Sequence, residues 1–170
     1  MISHTNQEPT KPSRVLLIGG TGFIGSAVHQ RLDSESVPTL ALGSNDLNLL
    51  EPVATDRLAK LVRPDDSVVM LSALTPDKGR DITALMNNLV MMQTVCAALG
   101  KSSCGHLVYF SSDAVYGTEV SRVSEHTAAS PKDLYGTMHL TREVMAQSLC
   151  KIPVLVLRPT AVYGLADTHN

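Results

Sequence analysis

Apolar residues follow two rhythms along this chain. RVLLIGG (14–20) is a run of strand length, apolar at most positions, and predicts a buried strand. It gives way to GFIGSAVHQRL (22–32), where Phe23, Ile24, Ala27, Val28 and Leu32 recur at helical spacing. The alternation then repeats. PTLALG (38–43) predicts a strand, and EPVATDRLAKLV (51–62) a helix with Pro52 near its first turn, where a missing N–H is harmless. DSVVMLSAL (66–74) predicts a third strand, and DITALMNNLVMMQTVCAALG (81–100) a long apolar helix capped by Gly100. HLVYFSS (106–112) predicts a strand, DLYGTMHLTREVMAQSL (133–149) a helix and PVLVLRP (153–159) a last strand. Short strands apolar on both faces, separated by helices, predict a parallel sheet in a three-layer, doubly wound α/β/α fold. The irregular stretch 118–132 is expected to be a functional loop.

Composition narrows the partners. The chain has 170 residues, enough for one domain with a sizeable core, and 44% hydrophobic against 18% charged residues is a globular balance. A net charge of −2 without a run of Lys or Arg argues against nucleic acid or an anionic membrane as the main partner. Continuous apolar runs such as 68–71 and 154–157 are too short to cross a bilayer. Residues 1–13 (MISHTNQEPTKPS) are polar and lack the apolar stretch of a signal peptide. A flexible tail before a domain at 14–170, in a cytoplasmic protein, is the expectation. Cys96, Cys104 and Cys150 lack metal-ligand spacing and read as small thiols in a reducing compartment. His106, His126 and His169 lack such spacing too, so no metal site is expected. Met86, Met91 and Met92 are core or interface, which leaves room for a homodimer.

Chemistry enters at Gly19-Gly20-Thr21-Gly22-Phe23-Ile24-Gly25, between the first strand and the first helix. Glycines there permit a tight turn and let the backbone approach a pyrophosphate. The helix N-terminus then offers unpaired N–H groups and a partial positive charge. GGTGFIG resembles the fingerprint of the extended short-chain dehydrogenase/reductase (SDR) superfamily, which includes the NAD-dependent epimerase/dehydratase family. The resemblance continues in order through Asn48-Leu49, Ser72-Ala73, Asn88, FSSDAVYG (110–117), Tyr135-Gly136 and LRPTAVYG (157–164). It implies a Rossmann fold that binds a nicotinamide dinucleotide through Gly19, Thr21, Gly22, Phe23, Ile24 and Gly25. Asn48 and Leu49 would flank the adenine, and Ser72 and Ala73 would lie beside the cofactor. NAD is the expected form and NADP the alternative: the second predicted strand ends in neutral Gly43-Ser44-Asn45, and no Arg or Lys lies nearby in sequence.

The resemblance also implies a reaction. Tyr135 would exchange a proton with a substrate oxygen that Ser112 holds by a hydrogen bond, as hydride moves at the nicotinamide. Ser111 reads as a strand-end cap. Asp113 is followed by Ala114 where sugar-nucleotide dehydratases carry a second carboxylate, which disfavours water elimination and leaves epimerisation or reduction. Asp113 reads equally well as a turn residue. Tyr116 and Tyr163 read as packing or substrate-wall residues. The lysine expected four residues after Tyr135 is His139. A neutral imidazole there can still donate to the nicotinamide ribose, so Tyr135 and His139 are both catalytic and cofactor-binding candidates, but it carries no fixed charge. Family members continue into a C-terminal substrate region that is largely absent here, so the chain reads as the N-terminal part of a longer protein. The expected substrate is a nucleotide sugar or a related hydroxyl or carbonyl compound. The competing reading is a non-catalytic dinucleotide sensor or scaffold.

Overall fold

The computed structural model describes residue 8, residues 10–149 and 151–164, and residue 167. The expected tail thus falls mostly outside the described residues, as do Cys150 and His169. Five strands and four helices alternate: β1 (Arg14–Ile18), α1 (Phe23–Ser34), β2 (Thr39–Leu42), α2 (Ala54–Leu61), β3 (Asp66–Met70), α3 (Ile82–Lys101), β4 (His106–Phe110), α4 (Leu134–Gln147) and β5 (Val154–Leu157), with a 3₁₀ turn at Asp113–Val115. The sheet is parallel with order β2-β1-β3-β4-β5. This is a doubly wound order, and its switch point lies between β1 and β3.

Register fixes the two faces. Leu16, Val68, Leu107 and Val154 stand in one row, and Ile18, Met70, Tyr109 and Val156 in a second row on the same face. These rows pack with Leu58 of α2, Met92 and Val95 of α3 and Ala146 of α4 into the main core. On the other face Val15 and Leu17 pack with Val28 and Leu32 of α1. Each large aliphatic side chain buried this way contributes about 1.5–3 kcal/mol. By length and composition alone α3 could cross a membrane. Here its Met91, Met92, Val95, Ala98 and Leu99 belong to the core.

The strands stop earlier than their apolar runs. Past Met70 the chain leaves the sheet: the Leu71 and Ser72 N–H groups both turn to the Ile18 carbonyl. Asn88 then holds Leu74 at both its N–H and its carbonyl. Pro52 precedes α2 rather than lying within it. The Gly100 cap needs correction. Gly100 lies inside α3 and meets only open space, and the helix ends one residue after it, where the Ser102 N–H bonds the Ala98 carbonyl. Asp81 and Asp133 are the side-chain caps that start α3 and α4.

Candidate functional site

The glycine loop sits at the switch point, and its glycines have separate tasks. Gly19 takes φ +92°, and a Cβ there would lie 2.8 Å from the Ser72 N–H nitrogen and hydroxyl. A Cβ on Gly25 would lie 2.1 Å from the Gly19 carbonyl oxygen, so this residue lets α1 press onto the loop. Gly22 is different: a Cβ there would meet only the Gly19 carbonyl, at 3.4 Å. Gly22 caps α1 without a side-chain acceptor, and the first turn holds no acidic residue. Gly22 is exposed, so the first N–H groups of α1, which lack a side-chain cap, suit an anion. Thr21 packs closely over Gly43 at the end of β2, and Phe23 and Ile24 are half-buried. Ser72 and Ala73, also half-buried, form the opposite rim.

Ser112 and Tyr135 come together from different elements. Ser112 ends the β4 segment and caps the 3₁₀ turn, accepting from the Ala114 N–H at 3.1 Å. Tyr135 stands in the first turn of α4 beside the Ser112 hydroxyl, which itself donates to the Asp113 carboxylate at 3.3 Å. Gly136 makes that approach feasible: a Cβ there would lie 2.1 Å from the Ala114 carbonyl oxygen. Burial raises the Tyr135 pKa above its ordinary value; Arg142 opposes this, Asp113 adds to it, the nearby Ser112 hydroxyl opposes it and Asp77 adds to it. A cavity of about 310 Å³ opens beside Tyr135, walled by Leu74, Gly79, Asn88, Asp133 and Met138 among others.

His139 shares the helical face of Tyr135, as four-residue spacing requires. Their rings meet edge to face with centroids 4.6 Å apart. His139 is 2% exposed, and its Nδ1 lies 2.7 Å from the Tyr109 hydroxyl. Nε2 is buried without a hydrogen-bond partner among the described residues. Where Tyr109 donates to Nδ1, Nε2 carries the ring proton and is a free donor. Uncapped N–H groups at α1, space at Gly22 and this orphaned nitrogen all fit a dinucleotide. The imidazole is not the readily charged partner that would titrate with Tyr135: burial, and then the nearby Arg142 cation, hold its pKa at about 3.

That depression predicts acid sensitivity. The folded pKa lies below the unfolded value, so on acidification the unfolded chain binds the proton first. The contribution is complete above pH about 6.5 and is lost as pH falls toward 3. Between pH 7 and pH 5 the native chain should lose roughly 2 kcal/mol more than a His139→Gln variant. Urea unfolding of both proteins at the two pH values measures this. Equal losses would contradict a buried neutral imidazole.

Several expected residues have other neighbours. Leu49 is buried in the main core, so only Asn48 of the expected adenine-flanking pair has an exposed side chain. A cation also lies closer to the end of β2 than sequence proximity suggested. Arg57 of α2 donates to the Asp46 carbonyl at 2.8 Å, which brings a cation to the turn after β2 that looked neutral. The Asp46 carboxylate accepts from the Gly43 N–H. Ser111 points away from the reactive pair and donates to Glu143 at 2.5 Å. Glu143, buried on α4, pairs with Arg158 through two bonds of 2.9 and 2.6 Å, and Arg158 donates on to the Tyr116 hydroxyl at 2.8 Å. Tyr116 is thus a packing residue beneath an arginine. Tyr163 is 84% exposed. The Glu143–Arg158 pair, which fastens the segment after β5 to α4, had no signal in local spacing.

Comparison with known proteins fits this geometry. The NAD dependent epimerase/dehydratase family matches residues 15–170. A relative described as an uncharacterized UDP-glucose epimerase YtcB, from Bacillus subtilis (strain 168), is 29% identical over 170 residues, covering 95% of this chain and 53% of its own length. The methionine adenosyltransferase 2 subunit beta of Danio rerio is 28% identical over 156 residues, covering 84% of this chain and 48% of its own. The chain therefore spans about half the length of the curated relatives it matches. Among solved structures, UDP-N-acetylglucosamine 4-epimerase from Bacillus cereus superposes with a TM-score of 0.80 at 21% identity, over 92% of this chain and 58% of that one, and so shares the fold. With the glycine loop at the switch point and the family match running to the last residue, the chain belongs to the NAD dependent epimerase/dehydratase family.

Proposed function

We propose that this chain carries the cofactor-binding and proton-transfer part of an NAD(P)-dependent epimerase or reductase acting on a nucleotide-linked sugar. The observation that carries the reading is the closeness of the Ser112 hydroxyl to Tyr135, a residue that also lines a cavity. The N–H groups at the start of α1 and the space over Gly22 hold the pyrophosphate; the nitrogen Nε2 of His139 donates to the ribose. A bound nicotinamide supplies the hydride donor or acceptor. Tyr135 gives its phenolic proton to the substrate oxygen during reduction, or takes it during oxidation, and Ser112 fixes that oxygen. Ala114 offers no second carboxylate, so hydride exchange without loss of water is the favoured chemistry. A second reading, a dinucleotide-binding subunit without turnover, is favoured by His139 in place of lysine and by the likeness to a methionine adenosyltransferase 2 subunit.

Deuterium transfer separates the two readings. UDP-glucose deuterated at C4, incubated with the protein and NAD or NADP, is expected to yield stereospecifically labelled reduced cofactor. A deuterated dTDP-sugar serves as the second probe. Tight dinucleotide binding with no transfer from either sugar would select the binding subunit.

A further inference from the structure

We propose that Arg142 supplies the fixed positive charge that favours ionisation of Tyr135, in place of His139, and so acts as a positioning residue from within the core. The proposal rests on Tyr135 being the proton carrier, as argued above. Arg142 lies seven residues after Tyr135 and three after His139, two turns down the same face of α4. It is fully buried. Its guanidinium donates to the Ser72 carbonyl at 2.9 Å, approaches the Asn88 carbonyl oxygen at 3.5 Å and the Met138 sulfur at 3.9 Å, and lies 5.1 Å from the centre of the Tyr109 ring. All four are neutral. Nε has no partner among the described residues.

Other inward-facing arginines are compensated. Arg14 is paired with Asp66, and Arg158 with Glu143. Arg142 makes no ion pair among the described residues, and the carboxylate next to it in sequence is committed to Arg158. Burial lowers the Arg142 pKa, yet a guanidinium stays protonated in proteins, so its charge is present and uncompensated in the interior. The group above it that becomes anionic when it gives up a proton is Tyr135. The path between them is contiguous: Tyr135 meets His139, His139 bonds Tyr109, and Arg142 lies over Tyr109.

The other groups around Tyr135 leave this task to Arg142. Asp113, from the 3₁₀ turn, and Asp77, from the loop after β3, oppose ionisation, whereas the nearby Ser112 hydroxyl favours it. His139 is neutral, and the same arginine helps to keep it so. Tyr109 from β4 and Cys96 from α3 face Arg142, and burial raises both, so neither neutralises it. Two helical turns span about 10 Å. A unit charge at about 10 Å, with an effective dielectric near 20, moves a phenol by about one pK unit.

Tyrosinate absorbance reads this directly in the chain without cofactor or substrate, with Tyr135 isolated by subtracting the Tyr135→Phe titration. Arg142→Met, of similar length and uncharged, is expected to raise the Tyr135 midpoint by about one unit. Arg142→Lys should restore most of that shift, and His139→Ala should move the midpoint by well under half a unit. An unchanged midpoint in Arg142→Met would overturn the proposal. If the methionine variant does not fold, Arg142→Gln replaces it. If neither folds, His139→Ala decides: a rise near one unit assigns the charge to His139 and ends the proposal, and an unmoved midpoint supports Arg142. The titration needs neither dinucleotide binding nor turnover. An Arg142-dependent phenol in a protein that transfers no deuterium would therefore remove the catalytic reading and leave the electrostatic one.

Discussion

Tyr135→Phe is expected to cut turnover by about a hundredfold or more while leaving dinucleotide affinity within about twofold. The variant keeps the ring that packs edge to face on His139 and removes only the oxygen beside Ser112. Proton transfer to the substrate oxygen then has no donor in place, and Ser112 cannot replace it, because an aliphatic hydroxyl is far less acidic than a phenol. The measurement pairs steady-state turnover, on whichever deuterated sugar gives transfer, with calorimetric titration of the cofactor. A variant that binds cofactor poorly but turns over normally once loaded would show that Tyr135 is a binding residue alone.

Gly22→Val carries the other large effect. The Gly22 backbone is extended, at φ −75° and ψ 176°, a conformation that suits a β-branched residue. Its Cβ would touch only one carbonyl at van der Waals distance. The fold should therefore survive, with melting within a few degrees of the native chain, while the valine stands beside the uncapped α1 N–H groups. Dinucleotide binding should fall by more than about a hundredfold, since the phosphate loses its approach to a helix N-terminus. Gly25→Val is the contrasting variant: its Cβ would lie 2.1 Å from a backbone oxygen, so it should not fold. Titration with NADH and NADPH also reports which dinucleotide the turn near Arg57 prefers. Native affinity for both in Gly22→Val would displace the cofactor from this loop.

The fold was legible because apolar periodicity is local. Runs such as RVLLI and VLVL announce strands on their own, and the glycine loop declares itself by lying between a strand and a helix. Ends were harder. Leu71 and Leu74 look like strand residues, and only Asn88, fourteen positions beyond Leu74, shows why the chain has already turned. Gly100 resembled a cap because glycine favours positive φ, but this one lies within the helix beside open space. Ser112, Tyr135 and His139, which the structure places close together, were legible as candidates because they occupy a recurring motif. Arg142 and Glu143 were not, since adjacent charges in a helix ordinarily face water. Their burial is set by Asn88, Tyr109, Ser111 and Arg158, from three other parts of the chain. Arg57 shows the same limit: eleven residues separate it from the Asp46 carbonyl it reaches.

Asn88 binds the loop after β3 at both ends of one residue and its own helix at Ala84, while Arg142 ties Ser72 to α4. Motion at this corner is therefore expensive: no one of the three segments can swing without breaking bonds to the other two. The stretch 118–132 is instead exposed or half-buried along its length, with the Ser130 N–H bonded to the Val115 carbonyl. On the proposed function, substitutions in that exposed stretch are expected to alter ligand choice, whereas substitutions in the tied corner are expected to disturb Tyr135.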